Sequence, residues 1–270
     1  MTIAIHFKKV VKVVRSAPLL RIDDIRIHKG ECMAFYGLSK EYSEIITNLM
    51  TGASIPDEGS VQLLGTDSRE ISDDRVWFRF LENFGIFSSK PVFQESASIG
   101  ENLATLFRIR NDSIEEPQLS ACVLHLANLV QLTITDLSKM MSETTPLLRT
   151  KVRLARAVVY HPKVVVMCDP TSGLPTDTAQ KLYELIRRTR RKLGYTLVFF
   201  TSDVWLLRQL AQRVLLLNPQ EGSFVENRLR QWYHNLFSFL DPAPAQLLQL
   251  SRDIRQHSRI LKGTESMERH

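Results

Sequence analysis

Five short apolar runs constrain this chain most: CMAFYG (32–37), FGIFSS (84–89), KVVVMCD (163–169), YTLVFFTSD (195–203) and VLLLN (214–218). They carry almost no polar alternation, as expected of strands covered on both faces, and such strands build parallel sheets. Between them lie stretches with apolar residues at helical spacing. EIITNLMTG (44–52) ends at Gly52, a helix C-terminal signal, and RTKVRLARAVVYH (149–161) runs up to Pro162. TAQKLYELIRRTRRKLG (178–194) ends at Gly194, and VWLLRQLAQR follows it. Buried strands alternating with helices indicate an α/β fold with a parallel sheet.

Two further textures complete the organisation. Residues 3–14 and 19–31 alternate apolar with polar, with a turn at Lys29-Gly30, and 55–67 read as turn, strand, turn. This predicts a small antiparallel β layer. A helix is expected over 73–82. From about 98 to 148 the chain reads as a helical insertion, through SIGENLATLFRIR, IEEPQLSACVLHLANLV and ITDLSKMMSE. The first domain is thus 1–225. A C-terminal helical extension is expected over 226–270, with Leu229, Trp232, Leu236 and Leu240 on one stripe and DPAPA (241–245) as a break.

The chain has 270 residues, 44% hydrophobic, and a net charge of +6. Its basic residues are interspersed with acids. The densest cluster, RRTRRK (187–192), reads as a solvated helix face, because no aromatics are interleaved as nucleic-acid binding would favour. No nucleic acid is expected as a partner. Cys32, Cys122 and Cys168 lie far apart without metal spacing, which suits a reducing compartment. The start, MTIAIHFKKVVKVV, alternates like a strand and has no long apolar core of a leader. No run approaches the ~20 apolar residues of a membrane span. A cytoplasmic protein is expected.

GECMAFYGLSKEYSEIITNLMTG (30–52) has the strand, turn and helix of a phosphate-binding loop. A working loop, GxxxxGK[ST], needs glycines so that backbone N–H groups can converge on phosphate. Its lysine reaches the outer phosphates, and its Ser or Thr holds Mg²⁺. Gly37 holds the first glycine place. Lys40 and Tyr42 hold later ones, Ser43 holds the lysine place and Glu44 the Mg²⁺-ligand place. Glu41 and Glu44 put negative charge where a triphosphate would lie. A helix N-terminus favours an anion by about 1 kcal/mol or less, and one carboxylate at ~4 Å offsets that.

LARAVVYHPKVVVMCDPTSGL (154–174) resembles the helix, Walker B strand and turn of the nucleotide-binding subunit of ABC transporters. GASIPDEGSVQLLG, FGIFSS with ASIGENL, FFTSD and LAQRVLLLN resemble further words of that family and stand in its order. The resemblance covers about residues 1–225. It implies an ABC-type P-loop ATPase fold: parallel sheet core, antiparallel β subdomain and helical insertion. MSETTPLLRTKVRLARA and KLGYTLVFFTSD most resemble the ATPases of MCE/Mla-type lipid transporters.

The resemblance also assigns places at which this chain departs from the family. Cys168 stands at the Walker B aspartate, a poor ligand for a cation that prefers hard oxygens. Asp169 stands at the catalytic glutamate. It either orients water or caps the Pro170-Thr171 turn, and a one-residue slip would make it the metal ligand. Lys40 either stands in for the lost lysine or is a solvated loop residue. Ser89 takes the Q-loop glutamine place, with Gln94 five residues late, and Ser202 takes the switch histidine place. The signature falls on TTPLL (144–148), where Thr145, Pro146 and Leu147 replace the glycine-rich grip and the proline has no N–H. Pro175 takes the D-loop aspartate place, and Val13 or Val14 falls near the place of a base-stacking aromatic. His125 and His161 read as structural.

All these departures together imply a subunit that keeps folding and docking but not hydrolysis. The expected partners are an ABC permease and a second ATPase subunit, in a homodimer or heterodimer. The membrane would be met only through the permease, at the cytoplasmic face of the inner membrane. Ser89 to Gly100, with Phe93 and Gln94 exposed, is the expected docking stretch; alternatively Phe93 is core of the helical insertion. Neither cofactor nor metal is expected, and any binding of ATP with Mg²⁺ would be weak. Two alternatives remain: an active ATPase using Asp169 and Lys40, and a soluble interaction module detached from any transporter.

Overall fold

The computed structural model describes residues 2–14, 19–71, 73–88, 92–218 and 221–228. Its centre is a six-stranded sheet. The strands are β3 (Cys32–Tyr36), β6 (Phe84–Phe87), β7 (Val164–Cys168), β8 (Thr196–Thr201), β9 (Arg213–Asn218) and β10 (Ser223–Arg228), in the order β10-β9-β3-β8-β7-β6. All pairs are parallel except β9–β10. The C-terminal ends of β3, β6, β7, β8 and β9 therefore share one edge. A second, antiparallel sheet orders β1 (Ile3–Lys12), β2 (Leu20–His28), β4 (Glu58–Leu63) and β5 (Thr66–Asp67) as β2-β1-β4-β5.

The continuous apolar runs follow from burial on both faces. On one face Met33, Phe35, Val164, Val166, Val198 and Phe200 join Ile5, Phe7 and Val61 of the second sheet in one cluster. Helix α1 (Lys40–Thr51) adds Ile46, Leu49 and Met50. The alternate residues Ala34, Val165, Leu197 and Phe199 are buried too. Each large side chain withdrawn from water contributes about 1.5–3 kcal/mol.

Helix α2 (Asp74–Leu81) precedes β6. The helical insertion comprises α3 (Ile99–Arg110), α4 (Glu116–Leu129) and the short α5 (Ile134–Leu137), then a 3-10 turn at Met141–Glu143. Ser98 and Thr133 start α3 and α5 with capping boxes to Glu101 and Asp136. Helix α6 (Pro146–Val158) returns to the sheet, and α7 (Thr176–Leu193) and α8 (Val204–Leu210) flank β8. Gly85 is required where α6 crosses β6, because a Cβ there would lie 1.8 Å from the Ala157 carbonyl oxygen.

Three boundaries differ from expectation. Helices α1 and α6 each begin earlier than the apolar periodicity suggests, at Lys40 and Pro146, because Ser39 and Thr145 cap them. Residues 226–228 are strand rather than the start of a helix. They pair with β9, and Glu226 accepts two bonds from Arg213. The rest of the expected C-terminal extension, with Leu229, Trp232, Leu236 and Leu240, lies outside the described residues.

Candidate functional site

The shared C-terminal edge of the sheet gathers most of the residues singled out in the sequence. At its β3 end the chain turns at Gly37, with φ +70°. Ser39 already caps a helix that starts at Lys40. The Ser39 hydroxyl accepts from the Tyr42 N–H at 3.4 Å, and the Ser39 carbonyl accepts from the Ser43 N–H at 3.0 Å. Ser43 Oγ donates to the same carbonyl at 3.0 Å. Tyr42 is buried in the core, and burial pushes its phenol above the usual range, with Glu41 adding to the effect. Lys40 pairs with Glu44 at 3.5 Å, one helical turn on, both well exposed. The sequence keeps the length of a phosphate loop, but its later residues are wound into the first turn of α1.

Beside this corner, β7 ends in Cys168 and Asp169. The Cys168 thiol lies 3.7 Å from Thr47 Oγ1 of α1, and burial raises its pKa. Asp169 takes φ +41°, a left-handed conformation that Asp tolerates better than most residues. Its N–H donates to the Phe200 carbonyl, and its own carbonyl accepts from Ser172. The turn is thus closed by the Asp169 backbone, which corrects the expectation that its carboxylate caps Pro170-Thr171. Burial raises the pKa of that carboxyl. The Thr171 hydroxyl donates instead to Asp203 Oδ2, at 2.8 Å.

Asp203 organises this end of β8. Its carboxylate also accepts from the Tyr183 hydroxyl at 2.6 Å and from the N–H groups of Trp205 and Leu206 at the start of α8. Burial, then Asp203, raise the Tyr183 pKa strongly. Ser202 next to it is exposed. The resemblance points to Ser202, yet it is Asp203 that organises this corner, and an Asp before an apolar helical run is an N-cap signal legible in the sequence.

Residues 144–148 form the start of α6. The Thr145 hydroxyl accepts from the Leu148 N–H at 3.3 Å, and Pro146 takes the first helical position, where its missing N–H costs nothing. The facing segment connects β6 to α3. Ser89 falls outside the described residues. Phe93 is half-buried rather than exposed, because the guanidinium groups of Arg149 and Arg156 each stand 5.4 Å from its ring centre. Gln94 is exposed, but its backbone is held by the buried Asn102 through two 3.0 Å bonds. An open groove of about 530 Å³ runs alongside, lined by Phe78, Ile86, Ile109, Tyr160, Arg110 and Arg156. His125 and His161 lie with ring centres 6.1 Å apart and planes tilted by 35°, away from the sheet edge.

No family model matches the chain. Among curated proteins it is 26% identical over 232 residues to the methionine import ATP-binding protein MetN of Clostridium acetobutylicum, covering 83% of this chain and 69% of that protein. Among solved structures it superposes on the dimeric bacterial ABC transporter cassette MJ0796 with a TM-score of 0.69 at 20% identity, over 84% of this chain and 99% of that one. It also superposes on cbiO1 from Clostridium perfringens, part of the ABC transporter complex cbiONQ. There the TM-score is 0.72 at 17% identity, over 93% of this chain and 100% of that one. The fold is that of an ABC-transporter ATP-binding cassette.

The residues expected at the Walker A, Walker B and switch places, Gly37–Glu44, Cys168–Asp169 and Ser202, follow the adjacent strands β3, β7 and β8 on one sheet edge, and those expected at the signature place, Thr145–Leu147, lie at the start of α6. No described helix is long and apolar enough to cross a membrane.

Proposed function

We propose that this cassette is a catalytically degenerate nucleotide-binding subunit of a membrane transporter, acting as a scaffold or regulator docked on its permease. One observation carries the reading: α1 begins at Lys40, so the residues of the phosphate loop serve as its first turn and Tyr42 serves the core. The Tyr42 and Ser43 N–H groups are bonded within the chain, and Glu41 and Glu44 bring charge of the wrong sign. Cys168 offers a Mg²⁺ ion a thiol where hard oxygen is needed. These residues do not fit a Mg²⁺–triphosphate, and we route no step through one.

Docking is supported by the groove between α2, β6, α3 and α6. Phe78 and Ile109 are 62% and 76% exposed along it, far more than an isolated cassette needs. Its occupant in this reading is a cytoplasmic helix of the permease. Homodimer and heterodimer are both compatible with this role, and the location follows from it: peripheral, at the cytoplasmic face. The signature-helix and switch words favour a lipid cargo of the MCE/Mla kind. The rival is small-solute import, which the relative's own name (methionine import) suggests.

The second reading, an active ATPase with an unusual site, is favoured by the burial that raises the Asp169 carboxyl, as a proton-handling group would need. Calorimetry with ATP and Mg²⁺ separates the two. No binding at millimolar nucleotide is expected, and micromolar binding lost in Asp169→Asn would replace the first reading by the second. Purification from membranes tests the transporter link. A permease should accompany the chain, its identity reporting the cargo, and Phe78→Asp should release it. Absence of any permease would leave a free interaction module.

A further inference from the structure

Three arginines on one face of α6 reach into the connection between β6 and α3. Arg149, Arg153 and Arg156 are spaced four and three apart, one helical stripe. Arg149 binds both carboxylate oxygens of Glu95 and also donates to the Met141 carbonyl at 2.9 Å. Arg153 stands 4.1 Å from the ring centre of Phe87 and donates twice to the Ser88 carbonyl, at 2.6 and 3.1 Å. Arg156 donates to the Val92 carbonyl at 2.8 Å. The Phe93 ring lies 5.4 Å from the guanidinium groups of both Arg149 and Arg156. From below, the Ser142 N–H donates to the Glu95 carbonyl at 3.1 Å, and Met141 N–H to that of Ala97 at 3.0 Å.

This arrangement asks for a purpose. Burial pushes the Arg153 pKa down to about 10, and among the described residues no carboxylate pairs with it; a guanidinium is kept in such surroundings at a cost. Irregular connections ordinarily run free over a surface. Here the segment has little regular backbone pairing, and charged forks from a neighbouring helix supply the missing partners.

We propose that Arg149 and Arg156 are positioning residues that clamp residues 92–97 onto α6, with Arg153 holding the end of β6 at Phe87 and Ser88 beside them, so that this face is set in one conformation without any nucleotide. Val92, 83% exposed, and Gln94 are then presented on a preformed surface continuous with the groove, because Arg156 belongs to both. The use of that surface for docking rests on the proposed function; the clamp itself does not. A preformed face binds without the entropy cost of ordering a loop.

The test is amide hydrogen exchange on the full chain, reading a peptide over 92–97 against one over α4 as internal reference. Arg149→Glu should speed exchange of 92–97 by about tenfold while α4 stays unchanged. The charge-swapped double variant Arg149→Glu with Glu95→Arg should restore it to within about twofold. Millimolar ATP with Mg²⁺ should leave the wild-type rates unchanged. Equal acceleration of both peptides, no acceleration in the single variant, no rescue by the swap, or protection of 92–97 by nucleotide would each overturn the clamp. Permease co-purification is scored separately: expected exchange without a permease keeps the clamp and removes the docking role.

Discussion

Two connections leave the same edge of the central sheet and solve one problem in opposite ways. After β3 the chain goes through Gly37 to Ser39 and straight into α1, with its capping bonds formed inside 39–43. After β6 it crosses an irregular stretch whose carbonyls and one carboxylate are met by α6, more than fifty residues later. The first corner is self-sufficient. The second depends on side chains from afar. A ligand loop needs backbone groups left unsatisfied until the ligand arrives, whereas at the first corner the Tyr42 and Ser43 N–H groups already have partners within the chain. In the clamp proposed above, the second takes its order from arginines of α6 rather than from a ligand.

The sharpest way to break this contrast is to return glycine to the first corner. Tyr42→Gly should cost about 4 kcal/mol by urea denaturation, since it removes a buried aromatic and weakens a helix start. A cost below ~1 kcal/mol would show that the corner is still a loop in solution. Gly85→Ala challenges the seat of α6 on β6. Its Cβ would meet the Ala157 carbonyl, so a loss of about 3 kcal/mol is expected from the same measurement.

Asp203→Ala should cost about 2 kcal/mol, because it uncaps α8 and leaves Thr171 and Tyr183 without their acceptor. A pH series sharpens the helical insertion. Burial works against the Asp136 carboxylate, but Lys139 and Thr133 hydrogen bonds prevail and hold its pKa down to about 2, from 3.8. A group lowered on folding stabilises fully above its unfolded value. Its contribution should therefore persist above pH ~4 and vanish as pH falls toward ~2. Asp136→Asn should flatten that part of the stability curve. Smallest of all, Lys40→Ala should change stability by no more than about 0.5 kcal/mol, because its partner Glu44 is as exposed as itself. Any larger effect would mean that Lys40 has a role beyond that pair.

Element type followed directly from the sequence. KVVVMCD and CMAFYG could only be strands covered on both faces, and Gly52 and Gly194 ended α1 and α7 where expected, both at positive φ. The missing phosphate-loop residues were equally plain, because chemistry at a site needs particular side chains. Three things were decided only in the folded molecule. Winding of the loop into α1 depended on Ser39 finding the Tyr42 N–H and on the core accepting the Tyr42 ring. Closure of the turn after β7 uses the Asp169 carbonyl and the Ser172 N–H, while the Thr171 hydroxyl donates to Asp203. Phe93 reads in sequence either as an exposed docking residue or as core of the helical insertion, and is instead half-buried against two arginines from another element. Periodicity and capping residues act over a few neighbours and can be read locally; a contact between residue 93 and residue 149 exists only once the sheet has brought β6 and α6 together.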